Sequence, residues 1–171
     1  MKKIAIVLLL ILSVSANENN SSKWKTEDLP KVYKIEYDKN TTCLVRNLLL
    51  YKNPKWVAKI EVSNGKTVYF CSPKSMFEFY FRPAKWYDIG VRSEADFKKI
   101  VVTDYNTLKP INAREAFFVY GSRVISPAGD DLVAFETEKD AKEFVKKYGG
   151  SRIFSFDKVP YGLIKLLNNS L

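Results

Sequence analysis

The chain contains no histidine, two cysteines, two methionines and only seven glycines in 171 residues. Without imidazole it lacks the usual general base, every Ser-His or Cys-His nucleophile pair and the commonest metal-binding side chain. No glycine-rich phosphate loop, nucleophile elbow or paired-carboxylate motif occurs either. Hydrolase and transferase chemistry is therefore not expected, and the chain reads as a non-enzymatic protein. Long hydrophobic runs are also scarce. Residues 4–12 form one that is too short to span a bilayer, and no second follows, so the rest of the chain is expected to be soluble.

That single run has a basic residue pair before it, Lys2-Lys3, and Val14-Ser15-Ala16 after it. Together they read as a secretory leader of residues 1–16, cleaved after Ala16, which places the mature protein in the periplasm. No cysteine stands at the cleavage site to carry a lipid. The formal charge is +9, or +7 once Lys2 and Lys3 leave with the leader. In an exported protein such a balance suits an acidic partner or an anionic surface rather than nucleic acid. The lysines are also spread along solvated faces, as at Lys142, Lys146 and Lys147, with no block of like charge. Aromatic residues make up 14% of the chain, enough to argue for a packed core.

Residues 54–80 organise the rest. Apolar and polar residues alternate from Trp56 to Val62 as in a half-buried strand, and Asn64-Gly65 supplies a tight hairpin turn. Residues 66–70 return along the first strand. Ser72 and Pro73 then form a helix start, with Ser72 as N-cap and Pro73 at the first helical position. The same order recurs 65 residues later. FCSPKSMFEF beginning at Phe70 and FETEKDAKEF beginning at Phe135 share Phe70/Phe135, Lys74/Lys139, Glu78/Glu143 and Phe79/Phe144, with Ser72/Thr137 as equivalent caps. Strand-like runs at 116–120 and 131–135 precede the second helix, and runs at 99–103 and 152–156 follow the two helices. The expected fold is α+β, two tandem ββαβ units.

The chain is accordingly divided into the leader 1–16, a lead-in 17–52, a first unit 53–108 and a second unit with a C-terminal tail, 109–171. The start of the lead-in is polar and expected to be mobile. Asn20 and Asn40 each stand two residues after an acid and two before a hydroxyl, the extended acceptor pattern of bacterial N-glycosylation. Pro110, at the junction of the units, is not expected inside a regular element. The apolar tail Leu163, Ile164, Leu166 and Leu167 suggests a short docked helix.

The runs YKNPKWVAKIEV, YFCSPKSMFEFY, VVTDYNTLKPINAREAFFVYGS and LVAFETEKDAKEFVKKYGG together resemble the NosL family over roughly residues 43–156. The resemblance implies a pair of ββαβ domains related to part of organomercurial lyase. It also implies an exported accessory factor handling Cu(I) for nitrous oxide reductase or another copper enzyme. The match is incomplete at the metal site. Where the family carries C-x-x-C-G-M, this chain has Cys43-Leu44-Val45-Arg46-Asn47-Leu48, and where many members have Met-Gly it has Ala128-Gly129.

The soft donors that remain are Cys43, Cys71 and Met76. Thiolates and thioethers are what Cu(I) prefers, and it needs only two or three. Cys71 precedes a helix N-terminus, where the dipole is expected to lower a thiol pKa. Both cysteines flank one hairpin and so belong at the same end of the first unit. That proximity serves a copper site or a structural Cys43–Cys71 disulfide equally, and two unpaired thiols are a third state. Met76 falls on the helix face that should meet the sheet, a core position as much as a ligand position. The alternative function is a metal-free interaction module with the same fold.

Overall fold

Two helix starts anchor the architecture, and both follow directly from local chemistry. In the computed structural model, which describes residues 32–169, Ser72 caps α1 (Pro73–Phe81) by accepting the Ser75 N–H at 3.2 Å. Thr137 caps α2 (Glu138–Tyr148) by accepting the Asp140 N–H at 3.1 Å. Each side chain satisfies one of the backbone donors that a helix start leaves unpaired. The leader, the start of the lead-in and Asn20 lie outside the described residues.

A hairpin precedes each helix and a single strand follows it. In the first half β1 (Ala58–Val62) pairs with β2 (Thr67–Phe70), and β3 (Phe97–Thr103) returns on the other side of β1. In the second, β5 (Phe117–Tyr120) pairs with β6 (Leu132–Phe135) and β7 (Arg152–Ser155) lies beside β5. All these pairings are antiparallel, and in both sheets the first strand of the hairpin is central. A short helix, α3 (Tyr161–Leu167), closes the described chain.

Three local readings change. The first hairpin closes through a three-residue loop: Val62 N–H donates to the Lys66 carbonyl at 2.8 Å and Gly65 N–H to the Val62 carbonyl at 3.0 Å. Only Gly65 of the pair takes a positive φ, +87°, as in a type I turn ending in a glycine bulge. Trp56 precedes the strand, in a 3-10 turn, and its ring meets Tyr105 at 5.5 Å. Pro110 does lie in a regular element. It opens β4 (Pro110–Asn112), the edge strand paired with β3, where a missing N–H is tolerated. β4 joins the first sheet although it follows the expected boundary at 109–110.

β1 is also more buried than its alternation suggests. Lys59, on the face opposite Ile60, is only 8% exposed. The extended lead-in covers this face: Ile35 and Tyr37 pack against the core, and the Tyr69 hydroxyl donates to the Glu36 carbonyl at 2.6 Å. Lys59 meets Glu61 at 2.8 Å, and Glu61 also meets Lys99.

α1 is the centre of the molecule. Phe77 and Phe79 stand about 200° apart around a helix of 3.6 residues per turn. Phe79 packs on Phe70 and Phe97 of the first sheet, at 5.6 and 6.0 Å between ring centroids. Phe77 packs on Phe118 and Phe156 of the second half, at 5.1 and 5.0 Å. The two halves therefore share one apolar cluster through α1, and the described residues behave as one compact unit.

Candidate metal centre

The site begins with a short loop. The backbone bridge Thr42–Leu49 closes residues 43–48, with Cys43 N–H donating to the Leu48 carbonyl at 2.9 Å and Asn47 N–H to the Cys43 carbonyl at 2.8 Å. Asn47 takes φ +54°, a left-handed conformation that asparagine tolerates better than most non-glycine residues. Asparagine thus supports the bend at the place where the family motif has glycine. Leu44 N–H donates to the Tyr69 carbonyl at 2.8 Å, fastening the loop to β2 two residues before Cys71.

This fastening brings Cys43 and Cys71 together as hydrogen-bond partners, each 2% exposed and neither in a disulfide in this structure. The neighbouring Cys71 side chain has the largest influence on Cys43, and the Arg46 N–H adds a contact to Cys43 Sγ at 3.4 Å. These contacts outweigh burial and draw the Cys43 pKa down to about 6. Cys71 moves the other way. The Cys43 side chain raises it most, and burial adds to the upward shift, while Ser75 Oγ at 3.8 Å offsets it weakly. The expectation that the helix start would acidify Cys71 is thus corrected, because the adjacent Cys43 thiolate dominates.

Met76 is fully buried and belongs to the same apolar cluster as both cysteines. Its repeat partner Ala141 is equally buried on α2, so the position faces the core in both units. Among the described residues no group of three or more His, Cys, Asp and Glu side chains could hold a metal. Any soft ion here would rest on the two sulfurs, with Met76 a further soft donor in the same apolar cluster.

Arg46, at the place of the family's second cysteine, performs a different task. Its guanidinium donates to Glu78 on α1 at 3.1 Å and to Asn168 after α3 at 2.5 Å. Glu78 also accepts from Asn168 at 2.9 Å and from Lys85 at 3.0 Å. The thiol-bearing loop is thereby clasped to both helices. Lys74 is a second surprise, 2% exposed, donating to the carbonyls of Ala128 at 2.6 Å and Leu167 at 3.2 Å. Burial lowers its pKa. Sequence reading missed both roles. The one signal available was charge at positions where the family resemblance leads one to expect sulfur, at Arg46.

The fold and the thiol pair define an α+β protein whose distinctive feature is two buried, unbridged thiols brought together at one end of the first hairpin. The sequence pattern of the NosL family matches residues 34–164, and the chain belongs to that family. Among solved structures, the copper chaperone NosL from Shewanella denitrificans is similar at 25% identity and a TM-score of 0.66, over 78% of this chain and 99% of that one. No curated protein matches.

Proposed function

We propose that this chain is an exported, periplasmic accessory protein that carries Cu(I) as cargo on Cys43 and Cys71, without catalysing a reaction itself. The leader read at residues 1–16 supports the location. The intended recipient is nitrous oxide reductase or a related copper enzyme, in keeping with the family resemblance. One observation carries the reading: two buried thiols outside any disulfide, Cys43 and Cys71, meet where the 43–48 loop is fastened to β2, and this contact draws the Cys43 pKa down and raises that of Cys71. A Cu(I) ion meets one ready thiolate and displaces one proton from the second, and two soft donors are enough to hold it. Met76 is a further candidate donor. No helix among the described residues is long and apolar enough to cross a membrane.

The test is titration of the fully reduced protein with Cu(I) against a competing chelator. One ion should bind per chain, and Cys43→Ser or Cys71→Ser should each abolish competition. A reduced wild-type protein that leaves the chelator fully loaded overturns the copper reading.

The same proximity favours a second reading, a metal-free interaction module with a Cys43–Cys71 disulfide in the oxidising compartment. Thiol counting on protein purified from the periplasm separates the two. No free thiol, together with indifference to Cu(I) after reduction, would establish the module.

A further inference from the structure

We propose that the cleft between α1 and α3 is a binding site for an anionic group, a carboxylate or a phosphate. The cleft, about 210 Å³, is walled by Arg46, Arg82, Lys85 and Lys165 against a single acid, Glu78. Its volume lies below the roughly 300–1,000 Å³ of sites for drug-sized molecules, so it suits one charged group rather than a large ligand. The apolar side chain of Ile164 also lines it.

Glu78 cannot neutralise this wall. Oε1 is taken by Lys85, and Oε2 by Arg46 and Asn168. Arg82, one helical turn beyond Glu78, has no hydrogen bond or ion pair from its guanidinium among the described residues, while its backbone N–H closes the end of α1. Arg46 Nε is buried without a partner, which marks a guanidinium whose donors exceed the acceptors around it. Arg46, Arg82 and Lys85 against the one carboxylate of Glu78 leave this concave wall with excess positive charge, and an entering oxyanion takes it up through charge-assisted hydrogen bonds.

The group can come from a free oxyanion or from an acidic side chain of a partner protein, and both present the same oxygen chemistry. The site does not depend on whether copper is carried. Its test therefore uses the metal-free, reduced, full chain at low salt, titrated with inorganic phosphate and separately with a tetraglutamate peptide while backbone amide resonances are followed. We expect saturable shifts confined to the end of α1, to α3 and to the loop of residues 43–48. Arg82→Ala should weaken binding about tenfold, the factor that corresponds to losing one charged hydrogen bond. Lys142→Ala, on the exposed face of α2, is the control for general attraction to a basic protein and should change nothing. Tighter binding of the peptide identifies a partner's acidic segment, and tighter binding of phosphate identifies a free oxyanion. Shifts that never saturate, or equal losses in Arg82→Ala and Lys142→Ala, overturn the proposal.

Discussion

α1 and α2 occupy the same place in the two ββαβ units, begin with equivalent caps and share four of ten residues around their starts. Their surroundings differ. α1 is covered on opposite faces, by the first sheet through Phe79 and by the second half through Phe77. α2 buries Ala141 and Phe144, packs Val145 and Tyr148 partly against the same cluster, and turns its lysines, Glu138 and Glu143 towards solvent. At the position of Phe77 the second unit has Lys142, which pairs with Glu138 on the surface at 2.9 Å. One element of a duplicated pair has become the shared core, and its partner has remained an amphipathic cover.

The sharpest test of this difference is truncation at that position. Phe77→Ala should cost about 3–5 kcal/mol, the range for a large aromatic removed from a well-packed core. Lys142→Ala should stay within about 0.5 kcal/mol, as exposed substitutions usually do. Denaturant unfolding of both variants measures the contrast. Similar losses would mean that α1 is not the shared core.

Next comes Cys71, whose counterpart Glu136 is exposed. A Cys43 pKa lowered to about 6 from the usual 9.0, with Cys71 raised, makes the stability of the reduced protein depend on pH. Between about pH 6 and 9 the unfolded chain retains a proton that the native pair has lost, so stability should rise with pH across that window. Above it the unfolded chain loses both protons while Cys71 keeps its own, and the gain should decline. Thiolate absorbance should show a midpoint near pH 6, and Cys71→Ala should move it upward. A single midpoint near 9 for both thiols would dissolve the pair.

A smaller contrast is Lys74 against Lys139. Lys74→Ala leaves the carbonyls of Ala128 and Leu167 without their donor, at about 1–3 kcal/mol for unsatisfied buried groups. Lys139 is exposed, and its replacement should be silent. Melting curves of the two variants would show it.

These contrasts also mark how far the sequence can be read. Caps, hairpins and strand order are local or periodic, so Ser72-Pro73, Asn64-Gly65 and the repeat announce them. The meeting of Cys43 and Cys71 was legible too, because a hairpin brings its flanks together. β4 was not, because an edge strand opened by Pro110 exists only where β3 offers its free side. Lys74 and Lys139 are the same residue in the same register of the repeat, and only the approach of residues 126–129 and α3 buries one of them. The pKa order of the thiols likewise depends on one side chain meeting another, which a dipole argument about Cys71 alone leaves out.

The least costly change tests the clasp. Glu78 and Glu143 are identical in the repeat, yet only Glu78 holds Arg46, Lys85 and Asn168. Glu78→Gln preserves volume and removes the charge that retains Arg46, at about 0.5–1.5 kcal/mol for a partly exposed network of this kind. Glu143→Gln should have no measurable effect. Because Arg46 belongs to the loop that covers Cys43, the loss should appear as local opening before it appears as global unfolding. Alkylation of Cys43 by iodoacetamide should therefore accelerate by about threefold to tenfold in Glu78→Gln, since 1.4 kcal/mol corresponds to a factor of ten. The acceleration should persist at denaturant concentrations too low to change the folded population. If Glu143→Gln accelerates alkylation equally, or Glu78→Gln does not, the loop is held by its own backbone bonds and the Arg46 clasp plays no part in guarding the thiols.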